Sequence, residues 1–342
     1  MKKIFLLTIS VFLITCGEQT EESTNSWVFI ANEGDLGASN GSISMIDDFG
    51  NVFETDPIGE IVNAVEVYEN KLIVLINGGQ NQSPDDSKIK IYDITQDGLS
   101  MPGIEISTNN SEPRDLVILN DKIYFTNWNS QDIKVFNLFN YEMETSIAVD
   151  GLPEDIEFDG QYFWVTIPHS QGAPNWDIGS KVCKIDPTTN SLLETIEVGT
   201  GPQGIAFDNG NVYVSRTFYN DSWEPFHGVT KIGSEITENI YGAGTPCGGG
   251  ILKHQNIIYR SFDGGLSPMN ADLSLDTENK IGNYDQSLVY HVEEINGNIW
   301  FALTSFVEDY NEIKVVDSFG TEINSYQPGK FPGDFTFWSI ND

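Results

Sequence analysis

The sequence predicts an all-β chain, a single seven-bladed β-propeller of four-stranded blades. Three observations carry that prediction. First, one pattern recurs along the chain, clearest in GTGPQGIAFDNGNVYVSRTF from Gly199 to Phe218 and SKVCKIDPTTNSLLETIEVG from Ser180 to Gly199. A Gly/Pro turn, a short apolar strand, an Asn/Asp/Gly hairpin and a β-branched strand make one half; a strand, a turn and an outer strand make the other. Second, the unit spans about 40–45 residues, the period of a propeller blade. Third, the ends are complementary. The segment SWVFIANEG near the N-terminus is a second-strand motif without a first strand, and GKFPGDFTFW near the C-terminus is a first-strand motif without a second. The strand at Asp334–Trp338 is therefore expected to complete the blade begun at Ser26–Asn32, which removes the exposed edges of an open array.

Each blade is placed by its first hairpin. The strands that follow it begin at Leu72, Ile123, Phe163, Val212, Ile257 and Ile299. Just upstream, one recurring position holds Ala64, Asp115, Asp155, Gly204, Gly249, His291 and Asp334, with Gly248 the alternative in blade 6. The spacings between these are 51, 40, 49, 45, 42 and 43 residues, so the excess is loop insertion. First hairpins are short. The connections between second and third strands are long and aromatic, at residues 32–42, 77–87, 127–132, 168–180, 216–228, 260–268 and 304–312. They share one face with the entries to the first strands, and elaboration on one face of a repeat scaffold marks a binding face.

The second-strand segments VYVS (212–215), IYFTN (123–127) and FIAN (29–32), with KVCKIDPTTNSLLETIEVG, resemble the YVTN-type β-propeller repeat family. The resemblance covers roughly residues 26–342, strongest in 107–218 and weakest in 245–285. It implies the fold. The family contains binding proteins and a few enzymes, so it implies no reaction.

Residues 1–16 read MKKIFLLTISVFLITC. Two lysines before a short apolar run are a secretory signal, too short to remain as a membrane span. Leu13-Ile14-Thr15-Cys16 resembles a bacterial lipobox, which implies lipidation of Cys16 after loss of residues 1–15. Residues 16–25 are polar and acidic, a flexible tether. Gly17 after Cys16 implies, by the same resemblance, sorting to the outer membrane, on its periplasmic or surface side. The propeller domain is then 26–342. Without residues 1–15, 15 Lys+Arg face 51 Asp+Glu, a net charge of about −36. Such a body repels phosphate backbones, which excludes a nucleic-acid partner. A monomer is expected. Cys183 and Cys247 fall on non-neighbouring blades, so no disulfide is expected between them.

On the long-loop face Trp128, His169, Trp176, Tyr219, Trp223 and His227 are the ligand-binding candidates. Aromatic faces beside Asn and Asp suit sugar rings or a peptide; the alternative is that the loops bury their own aromatics. The recurring inner position places Asp115, Asp155 and Asp334 around the channel mouth, with Arg114 and Glu154 beside them. Three carboxylates on one axis are the donors of a Ca²⁺ site. Short acceptors there also tie down neighbouring backbone N–H groups. Cys247, His291 and Asp334 fall at one level on adjacent blades and supply the groups of a nucleophilic site. No CxxC, H-x-x-x-H or phosphate loop is present. The expected function is a lipid-anchored extracytoplasmic binding or scaffold protein for a glycan, peptide or partner protein. The alternative is a hydrolase or lyase at the channel mouth, metal-assisted or not.

Overall fold

The computed structural model describes residues 24–79, 86–172, 175–245 and 250–340, and in them the chain is a seven-bladed propeller with two short 3₁₀ turns as its only helix. Blade 3 shows the plan. Its strands Pro113–Leu119, Lys122–Asn127, Asp132–Asn137 and Glu142–Ala148 pair in sequence, antiparallel, from the axis outward. The second strand of each blade is the most deeply buried, because a neighbouring blade covers each of its faces; that is why these segments read as near-continuous apolar runs.

Closure follows the expected pairing. Pro332–Ser339 lies innermost in blade 1 and pairs with Ser26–Asn32 from Ser26↔Ser339 through Trp27↔Trp338 to Ala31↔Asp334. The core is distributed as seven clusters, one at each blade–blade seam. Trp27, Phe29, Leu72, Val74 and Trp338 fill the seam of blades 1 and 2, and Val28, Trp300, Ile313 and Phe335 that of blades 7 and 1. The smallest lies between blades 5 and 6, where Ala206, Val229, Ile251, Ile258 and Leu273 pack. The fully buried Arg260 sits at that seam, its Nη1 donating to Ser261 O at 2.7 Å.

Blade 6 departs from expectation in three ways. Its first strand is Ile251–His254, paired Ile251↔Arg260, and Ser261 N donates to Gly250 O. The recurring position is thus Gly250, not Gly249 or Gly248. The expected long loop at 260–268 is a two-residue hairpin joining Ile257–Phe262 to Gly265–Pro268. Asp263 (φ 52°) and Gly264 (φ 73°) both take the positive φ that such a turn needs. A Cβ on Gly264 would stand 1.9 Å from Tyr284 O. The fourth strand shrinks to a single bridge, Leu266↔Ile281. Blade 2 instead splits its outer edge: its third strand Lys88–Thr95 pairs with Ile104–Ser107 and with the short Gly98–Leu99, which accounts for its longer spacing. Cys16, Cys247 and parts of the loops at 77–87 and 168–180 lie outside the described residues.

Candidate functional site

The inner strands of all seven blades line a funnel of about 950 Å³ along the axis. Side chains alternate along a strand, so residues two apart face the channel together, and register shifts at the start of the inner strands of blades 3 and 7 turn the preceding residue inward as well. They form three successive levels.

At the loop-rich mouth stand Arg114, Glu154, Tyr290 and Glu33. Arg114 is bidentate to Glu154, with Nη2 donating to Oε1 at 2.7 Å and Nε donating at 3.1 and 3.2 Å. Burial works against its charge, but Glu154 and Glu33 hold its pKa above the ordinary arginine value. Tyr290 Oη donates to Glu33 at 2.7 Å; burial nevertheless raises the Glu33 pKa.

The second level is the recurring position. Asp115 Oδ2 accepts from Ile156 N at 2.9 Å and Asp334 Oδ2 from Val65 N at 2.7 Å; Asp155 accepts from the Ile205 backbone. Each carboxylate thereby holds the inner strand of the next blade. Hydroxyls of the second strands complete the latch: Thr126, Thr166 and Ser215 Oγ accept from the N–H of Asp115, Asp155 and Gly204. These interblade bonds account for the three aspartates, which do not converge on one point as a Ca²⁺ site requires. The group that does converge, among the described residues, is His291, Glu293 and Asp334, whose donor atoms all lie within 4.8 Å of one another. Burial pushes the Asp115 carboxyl up to about 6. Burial and the Asp115 charge drive Asp155 well above its ordinary value.

Two residues further in are Glu66, Glu157 and Glu293, with Val117, Ala206 and Leu252 at the same level. Burial, then Glu293 and Asp115, raise Glu66 to about 7. Burial and Asp115 raise Glu157 to about 8, and its side chain reaches the channel water. Among the described residues no lysine or arginine forms an ion pair with Glu66, Asp115, Asp155, Glu157, Glu293 or Asp334. The channel cations are engaged elsewhere, Arg114 with Glu154 and Lys253 with Asp208.

The six aromatic and histidine candidates divide into three groups. Trp128, His169 and Trp176 form a triangle with ring centroids 5.6–5.8 Å apart. Trp128 also covers the Arg114 guanidinium, 4.4 Å from its ring, which joins the triangle to the funnel mouth. Burial lowers the His169 pKa and so favours its neutral imidazole. Tyr219 and Trp223 make a separate pair 6.2 Å apart, with Trp223 80% exposed. His227 is not on the binding surface. The expected 216–228 loop is mostly strand, because Asn211–Tyr219 and Pro225–Ile232 pair out to Tyr219↔Pro225. His227 therefore points into the sheet seam, 1% exposed, with Nε2 3.0 Å from Thr245 O and its ring against Phe262. Burial and then Arg260 push its pKa down to about 3. Buried Cys183 has its thiol raised to about 11 and is unreactive.

The sequence reading missed the Glu66, Glu157 and Glu293 level, Glu33 and Tyr290. The first three were reachable by counting two residues on from Ala64, Asp155 and His291.

No protein-family model matches the chain, and no curated protein matches it in sequence. Solved structures share its fold. A protein of Bacteroides fragilis provisionally assigned as a 6-phosphogluconolactonase matches with a TM-score of 0.62 at 13% identity, over 94% of this chain and 99% of that one. A Bacteroides uniformis protein with the same provisional assignment gives 0.64 at 12%, over 92% and 99%. Apo AztD of Citrobacter koseri gives 0.55 at 11%, over 92% and 98%. At these identities the likeness concerns the propeller alone.

Proposed function

We propose that this protein is a lipid-anchored extracytoplasmic binding protein that takes a neutral or cationic glycan or peptide at the funnel mouth. The observation that carries the reading is the Trp128–His169–Trp176 triangle, coupled through Arg114 to a funnel walled by carboxylates. An aromatic shelf gives flat apolar contact; carboxyl groups beside it accept from hydroxyls or ammonium groups. The same wall argues against hydrolysis of a phosphorylated sugar lactone, the activity provisionally assigned to two structural neighbours. A phosphate dianion would meet many carboxylates and no uncommitted arginine or lysine among the described residues. Orientation fits the anchored reading. Thr24, eight residues after Cys16, is tied to blade 1 at its short-hairpin end, with Oγ1 donating to Asp48 at 2.6 Å. An anchor at Cys16 would then turn the funnel mouth away from the bilayer.

Intrinsic tryptophan fluorescence tests the ligand class. Titration with a basic oligopeptide, a neutral oligosaccharide and 6-phosphogluconate should give saturable quenching with one of the first two and none with the third. Binding should fall at least tenfold in Trp176→Ala while Trp223→Ala binds normally. Preference for the phosphorylated ligand, or equal effects of the two substitutions, refutes the reading.

A further inference from the structure

We infer that His291, Glu293 and Asp334 form a binding site for one borderline divalent transition-metal ion, such as Zn²⁺, inside the funnel. The inference goes beyond the aromatic rim and does not need it.

Three features converge. His291 and Glu293 are two apart on the inner strand Val289–Ile295 of blade 7, so both point into the channel from one strand. Asp334 comes from the adjacent inner strand, Pro332–Ser339. Their donor atoms lie within 4.8 Å of one another, with His291 Nε2 3.3 Å from Glu293 Oε2. Tetrahedral donors ~2.1 Å from a zinc ion stand ~3.4 Å apart, so small side-chain rotations close the site.

Each donor is also held and available. Phe335 packs against the His291 ring edge-on, with centroids 5.1 Å apart and planes at 77°, which limits its orientations. Asp334 commits Oδ2 to Val65 N at 2.7 Å, which fixes the carboxylate and leaves Oδ1 toward coordination. That backbone bond is the outer-shell support that orients a ligating carboxylate. Glu66 lines the same cavity and is a further oxygen donor at hand.

Charge and donor type then select the ion. Glu293 has only the imidazole of His291 as an ion-pair partner among the described residues, and Asp334 has none. Two carboxylates crowded in a partly desolvated channel repel each other, and a dication between them removes the repulsion. Ca²⁺ and Mg²⁺ prefer an all-oxygen shell; an imidazole with two carboxylates suits zinc and its first-row neighbours. The donor set leaves at least one coordination position open toward the funnel.

The test is isothermal titration of the untagged protein, stripped with chelator, with Zn²⁺ and separately with Ca²⁺. Co²⁺ serves as a spectroscopic probe through its visible absorption. One Zn²⁺ per chain should bind, unaffected by an equal concentration of Ca²⁺. Affinity should fall at least tenfold in both His291→Ala and Glu293→Gln, with loss of the Co²⁺ absorption. Neither substitution removes the Asp334 latch, and unchanged melting without metal would show that both variants fold. No saturable Zn²⁺ binding, or binding that survives both substitutions and so resides elsewhere, overturns the inference. Equal competition by Ca²⁺ overturns it as well, because the imidazole would then have no part. None of these outcomes alters the result of the Trp176 titration.

Discussion

Asp115 and Asp155 each serve two opposed ends. As acceptors for the N–H groups of Ile156 and Ile205 they join blade 3 to blade 4 and blade 4 to blade 5. As neighbouring carboxylates in a narrow channel they repel when both are ionised. Burial is the larger cause of their raised pKa values, and mutual charge the next for Asp155. A carboxyl whose folded pKa lies above its unfolded value binds protons more tightly when folded. Its stabilising effect is complete below the unfolded pKa, near 4, and is lost as pH rises through the folded pKa. For Asp115 that loss runs from about pH 4 to its folded pKa of about 6. The melting temperature should therefore fall between about pH 4 and pH 7. Asp155→Asn, which keeps an acceptor for Ile205 and removes one charge, should flatten the fall. A pH-independent melting temperature over that range, or the same slope in the variant, would show that the pair is not strained by charge. The aspartates were legible in the sequence because the repeat marks their position. The contact of Trp128 with Arg114 was not, since loop rotamers leave no periodic trace. His227 was misplaced for a related reason: turn-like residues at 220–224 hid the continuing strand pairing on either side.

At the level of elements, the closing strand carries more than its own blade. Phe335 packs in the seam of blades 7 and 1, and Trp338 in that of blades 1 and 2, where its Nε1 also donates to Asn70 Oδ1 at 3.0 Å. Asp334 adds the latch to Val65. Its loss opens two seams at once and bares the edge of Ser26–Asn32. Deletion of 331–342 should abolish cooperative melting and cause aggregation. The milder Trp338→Ala should cost about 3–5 kcal/mol, as for other buried Trp→Ala changes. A truncated protein that melts as the intact one does would show that the ring does not depend on this strand. This element was readable from the sequence because each terminal motif lacked the partner that the other supplied. Blade 6 was readable only in part. Its Asp263-Gly264 pair is a two-residue hairpin signal, but with Gly-rich flanks and an outer strand reduced to Leu266↔Ile281, the repeat register slipped by one.

For the whole molecule, acidity and topology act together. The formal net charge is −34, and no helix among the described residues is long and apolar enough to cross a membrane. The short-hairpin face, where Thr24 meets Asp48, also carries Asp121, Asp159, Asp186 and Asp317 in or beside its turns. That face offers little attraction to anionic head groups, so electrostatics would push it from a bilayer rather than hold it there. On the anchored reading, attachment must then reside in the lipid on Cys16, with the following residues as spacer. Cys16→Ser should leave melting unchanged and move the protein from the membrane fraction to the soluble one, at low and high salt alike. Salt is the informative variable. Raising it screens repulsion within about a Debye length, so an attachment through the acidic body would strengthen, and one through a basic partner would weaken. A serine variant that still sediments with membranes after a high-salt wash would transfer the anchor to the propeller itself, and the funnel would lose its reason to face outward.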